Sequence, residues 1–153
     1  MITRHHHTTL FVTDLDRSLE FYCGVLGFDL LTHEPGRSGA FLDQVCNHPG
    51  SRLDLAVVRL GDFVVELIVP VSPPGLPSDV NTQGHGIARI GFEVEEIEAT
   101  VEALRAHGVE FMGEVATLPA DVKHYAGGKA VFFRDPDGII LELQQPPRKG
   151  QVT

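Results

Sequence analysis

A chain of 153 residues has room for one compact domain or two very small ones. Twelve Lys and Arg against 21 Asp and Glu leave a formal net charge of -9, and no basic run or basic helix face appears, which argues against nucleic acid and anionic membrane surfaces as partners. With 42% hydrophobic residues, a mean hydropathy near zero, no bilayer-length apolar stretch and no signal-peptide core in "MITRHHHTT", the expected setting is the cytoplasm.

The first periodic segment, "HTTLFVTDLDRSLEFYCGVLGFDLL", alternates as a strand and then takes a helical period. Asp14 is placed to cap the helix, and Leu15, Leu19 and Tyr22 share its core face. Strands are expected at about Phe28 to Thr32, Leu53 to Leu60 and Phe63 to Val69, the last two joined by a Gly61-Asp62 turn. Between the first two lies "EPGRSGAFLDQVCNHPGSR", a long irregular insert whose apolar Phe41, Leu42 and Val45 suit a roof over a cavity. The stretch "PVSPPGLPSD" has the composition of a linker. Beyond it, "ARIGFEVEEIEATVEALRAHGVEFMGEV" repeats the opening pattern. Ile90, Phe92 and Val94 alternate, Ile97, Val101 and Leu104 line one helix face, and Gly108 stops the helix. Further strands are expected near Glu110 to Val115, Ala130 to Arg134 and Ile139 to Gln145, with "DPDG" as the last turn. Cys23 and Cys46 have neither metal-type spacing nor a disulfide framework, and are expected to be small buried thiols.

The two halves superpose. Val12 matches Val94, Leu15 matches Ile97, and Gly27-Phe28 answers Gly108-Val109. Each half is a βαβββ unit: module one covers residues of about 4–70, a linker about 71–84, and module two about 85–147. A four-stranded curved sheet with one helix cannot bury its concave side alone. The expected fold class is therefore α+β, two tandem βαβββ modules forming an open cup-shaped mixed sheet with helices on the outside.

Two carboxylates break the apolar pattern at equivalent places, Glu66 in "VVELIVP" and Glu142 in "IILELQQPP". An unpaired carboxylate buried in a strand is costly or protonates, so each needs a partner. Strand alternation identifies candidates: Leu10 and Val12 face the helix, leaving His7, Thr9 and Phe11 on the concave side, and Ile90, Phe92 and Val94 leave Arg89, Gly91 and Glu93 there. The floor of the cup is expected to carry His7 and Glu66 from one repeat, Arg89 and Glu142 from the other. Against this stands a plainer possibility, a salt bridge between the repeats that only fixes sheet register. His124 and Tyr125, in "LPADVKHYAGGK", are candidates to cover the mouth and touch substrate. His5 and His6 read as exposed, and Arg134 and Asp135 as turn residues.

The repeated unit, with "FVTDLDRSLEFYCGVLGFDL", "FEVEEIEATVEALRAHGVEF" and "FFRDPDGIILEL", resembles the vicinal oxygen chelate superfamily of glyoxalases, epimerases, extradiol dioxygenases and bleomycin or fosfomycin resistance proteins. The resemblance runs over nearly the whole chain and implies a single glyoxalase-like domain. It implies a divalent ion, Zn, Ni, Co, Mn or Fe, held by His7, Glu66 and Glu142. The usual histidine of the second repeat is Arg89 here, and a guanidinium cannot ligate a metal. Either three ligands suffice and Arg89 holds a substrate anion, or the site is metal-free and Arg89 and His7 neutralise the two carboxylates. His85 is a distant substitute ligand. The activity implied is a lyase, isomerase or epimerase working through an enediolate, with Glu66 or Glu142 as base and Arg89, Phe11, His124 and Tyr125 as substrate contacts. The alternatives are a metal-independent small-molecule binding or resistance protein and a ring-cleaving or other metal-dependent dioxygenase. The resemblance also implies a homodimer with the site close to or across the contact.

Overall fold

The alternating run at Thr8 and the helical run at Leu15 begin a unit that the computed structural model resolves into one helix-backed sheet. Residues 1–77, 86–121 and 125–147 are described. The chain divides into two compact units, Met1–Ser78 and Asp79–Thr153.

In the first unit, β1 (Thr8–Phe11) leads to Asp14, whose carboxylate accepts the Arg17 N–H at 3.0 Å and caps α1 (Leu15–Leu19). The helix then widens into a π-helical turn, Glu20–Val25. That turn accounts for an irregularity in the repeat: Leu15 to Gly27 is one residue longer than Ile97 to Gly108. The extra residue is absorbed as a π-bulge, so both glycines still end their helices in the left-handed region, at φ 80° and 81°. The sheet follows with β2 (Asp29–Ser38), β3 (Arg52–Leu60) and β4 (Phe63–Ser72), and a short helix α2 (Ala40–Val45) sits between β2 and β3. Strand order is β1-β4-β3-β2, with β1 parallel to β4 and the other pairs antiparallel. Leu10, Val12, Ala56, Val58, Val65 and Leu67 are buried on the side backed by Leu15, Phe21 and Tyr22.

The second unit repeats the order with β5 (Ile90–Glu93), α3 (Ile97–Ala106), β6 (Ala116–Thr117), β7 (Lys129–Arg134) and β8 (Ile140–Gln145), arranged β5-β8-β7-β6. Here no Asp caps the helix. The buried Gln145 side chain reaches from β8 and accepts the Ile97 N–H at 2.8 Å, so the sheet itself satisfies that orphan donor. Ile97, Val101 and Leu104 pack inward with Phe133, Ile140 and Leu141, which are fully buried. Truncating a core ring such as Phe133 to Ala would cost about 3–5 kcal/mol. In "DPDG", the buried Asp135 carboxylate accepts from Asp137 N at 2.9 Å and Ile139 N at 2.8 Å, and Gly138 takes φ 83°.

Several expectations are corrected. No strand spans Glu110 to Val115; the chain makes a single bridge, Phe111 to Phe133, before the two-residue β6. Gly113 and two adjacent exposed residues, Met112 and Glu114, give this segment little to pack. The "EPGRSGAFLDQVCNHPGSR" insert is largely regular, supplying the end of β2 and all of α2. Of its apolar residues only Leu42 is buried, while Phe41 and Val45 are 70% and 66% exposed. Nor are both thiols buried: Cys46 is exposed and Cys23 is intermediate. Burial, with a smaller contribution from the Asp29 carboxylate, pushes the Cys23 thiol pKa up.

Candidate functional site

Ladder register places the two carboxylates identically. Glu66 lies opposite Thr9 of β1 and Val57 of β3, and Glu142 opposite Gly91 of β5 and Phe132 of β7. Their strand neighbours Val65 and Leu67, and Leu141 and Leu143, are buried against the helices, so each carboxylate leaves the opposite face of its own sheet. Neither is sealed from water; the side chains are 27% and 14% exposed. His7 and Arg89 each stand two residues before the residue opposite the carboxylate, which makes them counterparts.

In the first unit, Thr9 Oγ1 donates to Glu66 Oε2 at 3.0 Å, and His7 Nε2 lies 3.3 Å from the same oxygen. His6 Nδ1 and His7 Nδ1 are 2.7 Å apart, so one of the two carries the shared proton. When His6 donates, His7 Nε2 keeps its own proton and presents it to Glu66. Both contacts fall on Oε2, leaving Oε1 to face solvent or a ligand. His5 stacks on Phe63 at 6.0 Å and has no part in this chain.

In the second unit, Arg89 Nε donates to Glu142 Oε2 at 2.6 Å, and the guanidinium carbon lies 4.5 Å from the Phe132 ring centre. Gly91, the counterpart of Thr9, brings no hydroxyl; a Cβ there would lie 3.8 Å from Glu142 Oε2. Glu142 is thus neutralised by a permanent cation, whereas Glu66 is held by a hydroxyl and a titratable imidazole. The Arg89–Glu142 salt bridge lies inside unit two, whereas the plainer possibility had one joining the repeats.

Fit to a divalent ion differs between the units. His7 Nε2 and Glu66 Oε2 at 3.3 Å form a nitrogen–oxygen donor pair with the chemistry of zinc-like ions. Arg89 offers no lone pair and donates to Glu142 Oε2, which leaves Glu142 Oε1 as the one donor oxygen of that pair and sets a fixed positive charge beside it. Among the described residues, no group of three or more His, Cys, Asp or Glu side chains is close enough to hold a metal.

Phe11 is 68% exposed and shares the Thr9 side of β1. Tyr125 is half-exposed in the turn before β7, its carbonyl accepting the Gly128 N–H at 2.8 Å. His124 and His85 lie outside the described residues. Arg134 serves its turn, donating to the Gly138 carbonyl at 2.6 Å. Sequence reasoning passed over the contacts of His6, Thr9 and Phe132. Alternation in "AVFFR" was signal enough to put Phe132 on the Glu142 face.

The chain matches the Glyoxalase/Bleomycin resistance protein/Dioxygenase superfamily over residues 4–143. It is 32% identical to a probable lactoylglutathione lyase of Synechocystis sp., covering 94% of this chain and 95% of that protein. It is 30% identical to a 2-epi-5-epi-valiolone epimerase of Actinomyces sp., covering 93% and 79%. A glyoxalase family protein from Bacillus cereus shares the fold, with a TM-score of 0.81 at 22% identity over 96% of both chains.

Proposed function

We propose that this chain, which belongs to the glyoxalase/bleomycin resistance protein/dioxygenase superfamily, is an enzyme of the lyase, isomerase or epimerase kind that moves a proton beside a carbonyl group of a small molecule. The observation that carries the proposal is Glu66, a partly exposed carboxylate with one oxygen held by Thr9 and His7 and the other open. As base, Oε1 takes the proton from carbon next to a carbonyl, and the electron pair moves onto the carbonyl oxygen. The same carboxyl returns the proton on the same face to the neighbouring carbon, and inversion at the first carbon needs a second acid on its opposite face. His7, tied to His6, orients Glu66 and can pass charge to it as a proton. Arg89 uses Nε on Glu142, stacks on Phe132, and is a proposed substrate contact through its remaining N–H groups, which suit an anionic oxygen. Glu142 anchors that guanidinium and is the second candidate base. Phe11, Tyr125 and His124 are proposed substrate contacts, and the working form is proposed to be a homodimer.

A bound divalent ion would supply Lewis-acid stabilisation of the same oxyanion, with His7 and Glu66 as its donors in unit one. Because Arg89 cannot ligate an ion and its charge opposes one, no step above passes through a metal. The closed Arg89–Glu142 pair also favours a second reading, a metal-independent binding protein of the resistance kind, which holds its ligand without turning it over. A ring-cleaving oxygenase needs a neutral donor where Arg89 stands and fits least.

Proton exchange separates the two. Lactoylglutathione and a panel of 2-hydroxy ketones would be incubated with the protein in D2O and followed by proton NMR. The expected result is deuterium entry at the carbon beside the carbonyl, slowed by about 100-fold or more in Glu66→Gln. Binding without exchange supports the resistance-type reading instead, and equal exchange by Glu66→Gln removes Glu66 from the chemistry.

A further inference from the structure

A concavity lies within the first unit, remote in the strand ladder from Glu66. It has a volume of about 300 Å³ and is lined by Ser38, Gly39, Asp43, Gly50, Ser51, Arg52 and Ser72. The sheet register explains its chemistry. Arg52 of β3 lies opposite Ser38 of β2 on one side and Ser72 of β4 on the other, so the three side chains form one row across three strands. Val57 of β3 lies opposite Glu66, and a register shift separates Arg52 from Leu53, so the row sits at the far end of the β3–β4 ladder from Glu66.

Among the described residues, Arg52 has no carboxylate within ion-pair distance, although the Asp43 carboxylate lines the same concavity. Among the described residues, neither Arg52 nor the Ser38 and Ser72 hydroxyls have a hydrogen-bond or ion-pair partner. The carboxylates of the neighbouring segments are committed to backbone: Asp43 Oδ1 accepts the Ser51 N–H at 2.9 Å, and Asp54 Oδ1 accepts the Gly36 N–H at 2.7 Å. The buried Ser51 donates its hydroxyl to the His48 carbonyl at 2.7 Å, which holds that wall of the concavity in place. A planar guanidinium between two free hydroxyls presents a fork for two oxygens and flanking donors for a third. Asp43 Oδ2 remains to accept from a ligand hydroxyl.

We propose that this concavity binds a small oxyanion, a phosphate ester or carboxylate of a hydroxylated metabolite, with Arg52 as its principal ligand and Ser38 and Ser72 as flanking donors. The site is independent of the proton chemistry assigned to Glu66. Amide chemical shifts of the full chain would be titrated with inorganic phosphate, with acetate, and with chloride at matched ionic strength. The proposal expects saturable shifts centred on Ser38, Ser51, Arg52 and Ser72 with phosphate or acetate and not with chloride. The anion that saturates at lower concentration identifies phosphate or carboxylate as the preferred class. Arg52→Gln would weaken the titration by about tenfold or more, Arg52→Lys by less, and Glu66→Gln not at all. Because Arg52 is exposed, its variants are expected to keep the wild-type melting temperature. Shifts that match those with chloride, that centre elsewhere, or that survive in Arg52→Gln would overturn the proposal.

Discussion

At the residue scale, the two carboxylates show how much an alternating pattern can say. A charged residue between buried aliphatic residues identified both positions, and parity supplied Thr9 and Phe11 on one strand and Arg89 and Gly91 on the other. Parity gives a face and not a partner. That Arg89 bonds Glu142 through Nε while resting on Phe132 needs side-chain geometry, as does the His6–His7–Glu66 chain. The difference in partners predicts different behaviour. Glu142→Gln strands a guanidinium that is partly buried against Phe132, so it should lower stability by about 1–3 kcal/mol in denaturant melts. Glu66→Gln keeps its hydrogen bonds to Thr9 and His7 and should change stability by under about 1 kcal/mol. Equal losses in both would contradict the assigned division of labour. Cysteine chemistry gives a separate check. The Cys23 thiol pKa is raised by burial and then by Asp29, so at a given pH less of it is thiolate. Iodoacetamide should label the exposed Cys46 first, and Asp29→Asn should lower the Cys23 pKa and speed its labelling. Labelling of Cys23 ahead of Cys46 would contradict this.

At the element scale, the strands with strict alternation, β3, β4, β7 and β8, lie within one or a few residues of where the pattern puts them. The misses have physical causes. A π-helical turn leaves no periodic trace, because one added residue rotates the helix without altering its polarity. The extension of β2 to Ser38 is mostly exposed, so nothing apolar marks it, and bulges between Leu30 and Thr32 and between Glu34 and Arg37 break its alternation. The cap of α3 was also hidden, since Gln145 is distant in sequence from Ile97. One glycine near β7 is demanded by close approach. A Cβ on Gly128 would come within 2.8 Å of the Gln145 carbonyl oxygen and 2.9 Å of that of Tyr125, both backbone atoms that cannot swing aside. Gly128→Ala should therefore cost about 1–3 kcal/mol and loosen the Gln145 end of β8, read as faster amide hydrogen exchange there. An unchanged melt would show that the turn can shift freely.

At the scale of the whole molecule, the repeat of βαβββ units was legible because both copies keep the same core positions, from Leu10 and Phe92 in the first strands to Leu67 and Leu143 in the last. Divergence is concentrated where the copies do different work: His7 against Arg89, Thr9 against Gly91, and the long β2–α2 segment against the short β6. Large apolar side chains stay exposed in unit one, Phe11 at 68% and Leu30 at 50% among them. The proposed homodimer would cover such groups. Sedimentation at micromolar concentration is expected to give twice the chain mass, and a monomer at every concentration would contradict it.

The central proposal is that Arg89, standing where the family resemblance implies a metal-ligating histidine, does that position's electrostatic work itself through its pair with Glu142. Replacing it by Arg89→His gives unit two the same imidazole–carboxylate pair that His7 and Glu66 make in unit one. It removes a fixed positive charge and adds a neutral donor, and both changes favour a divalent ion. Calorimetric titration of the wild-type protein and Arg89→His with Mn, Co, Ni and Zn reads this directly. Binding at least about tenfold tighter in the variant, for one or more of these ions, is the predicted result. Equal or weaker binding by Arg89→His would contradict it and remove Arg89 from the site.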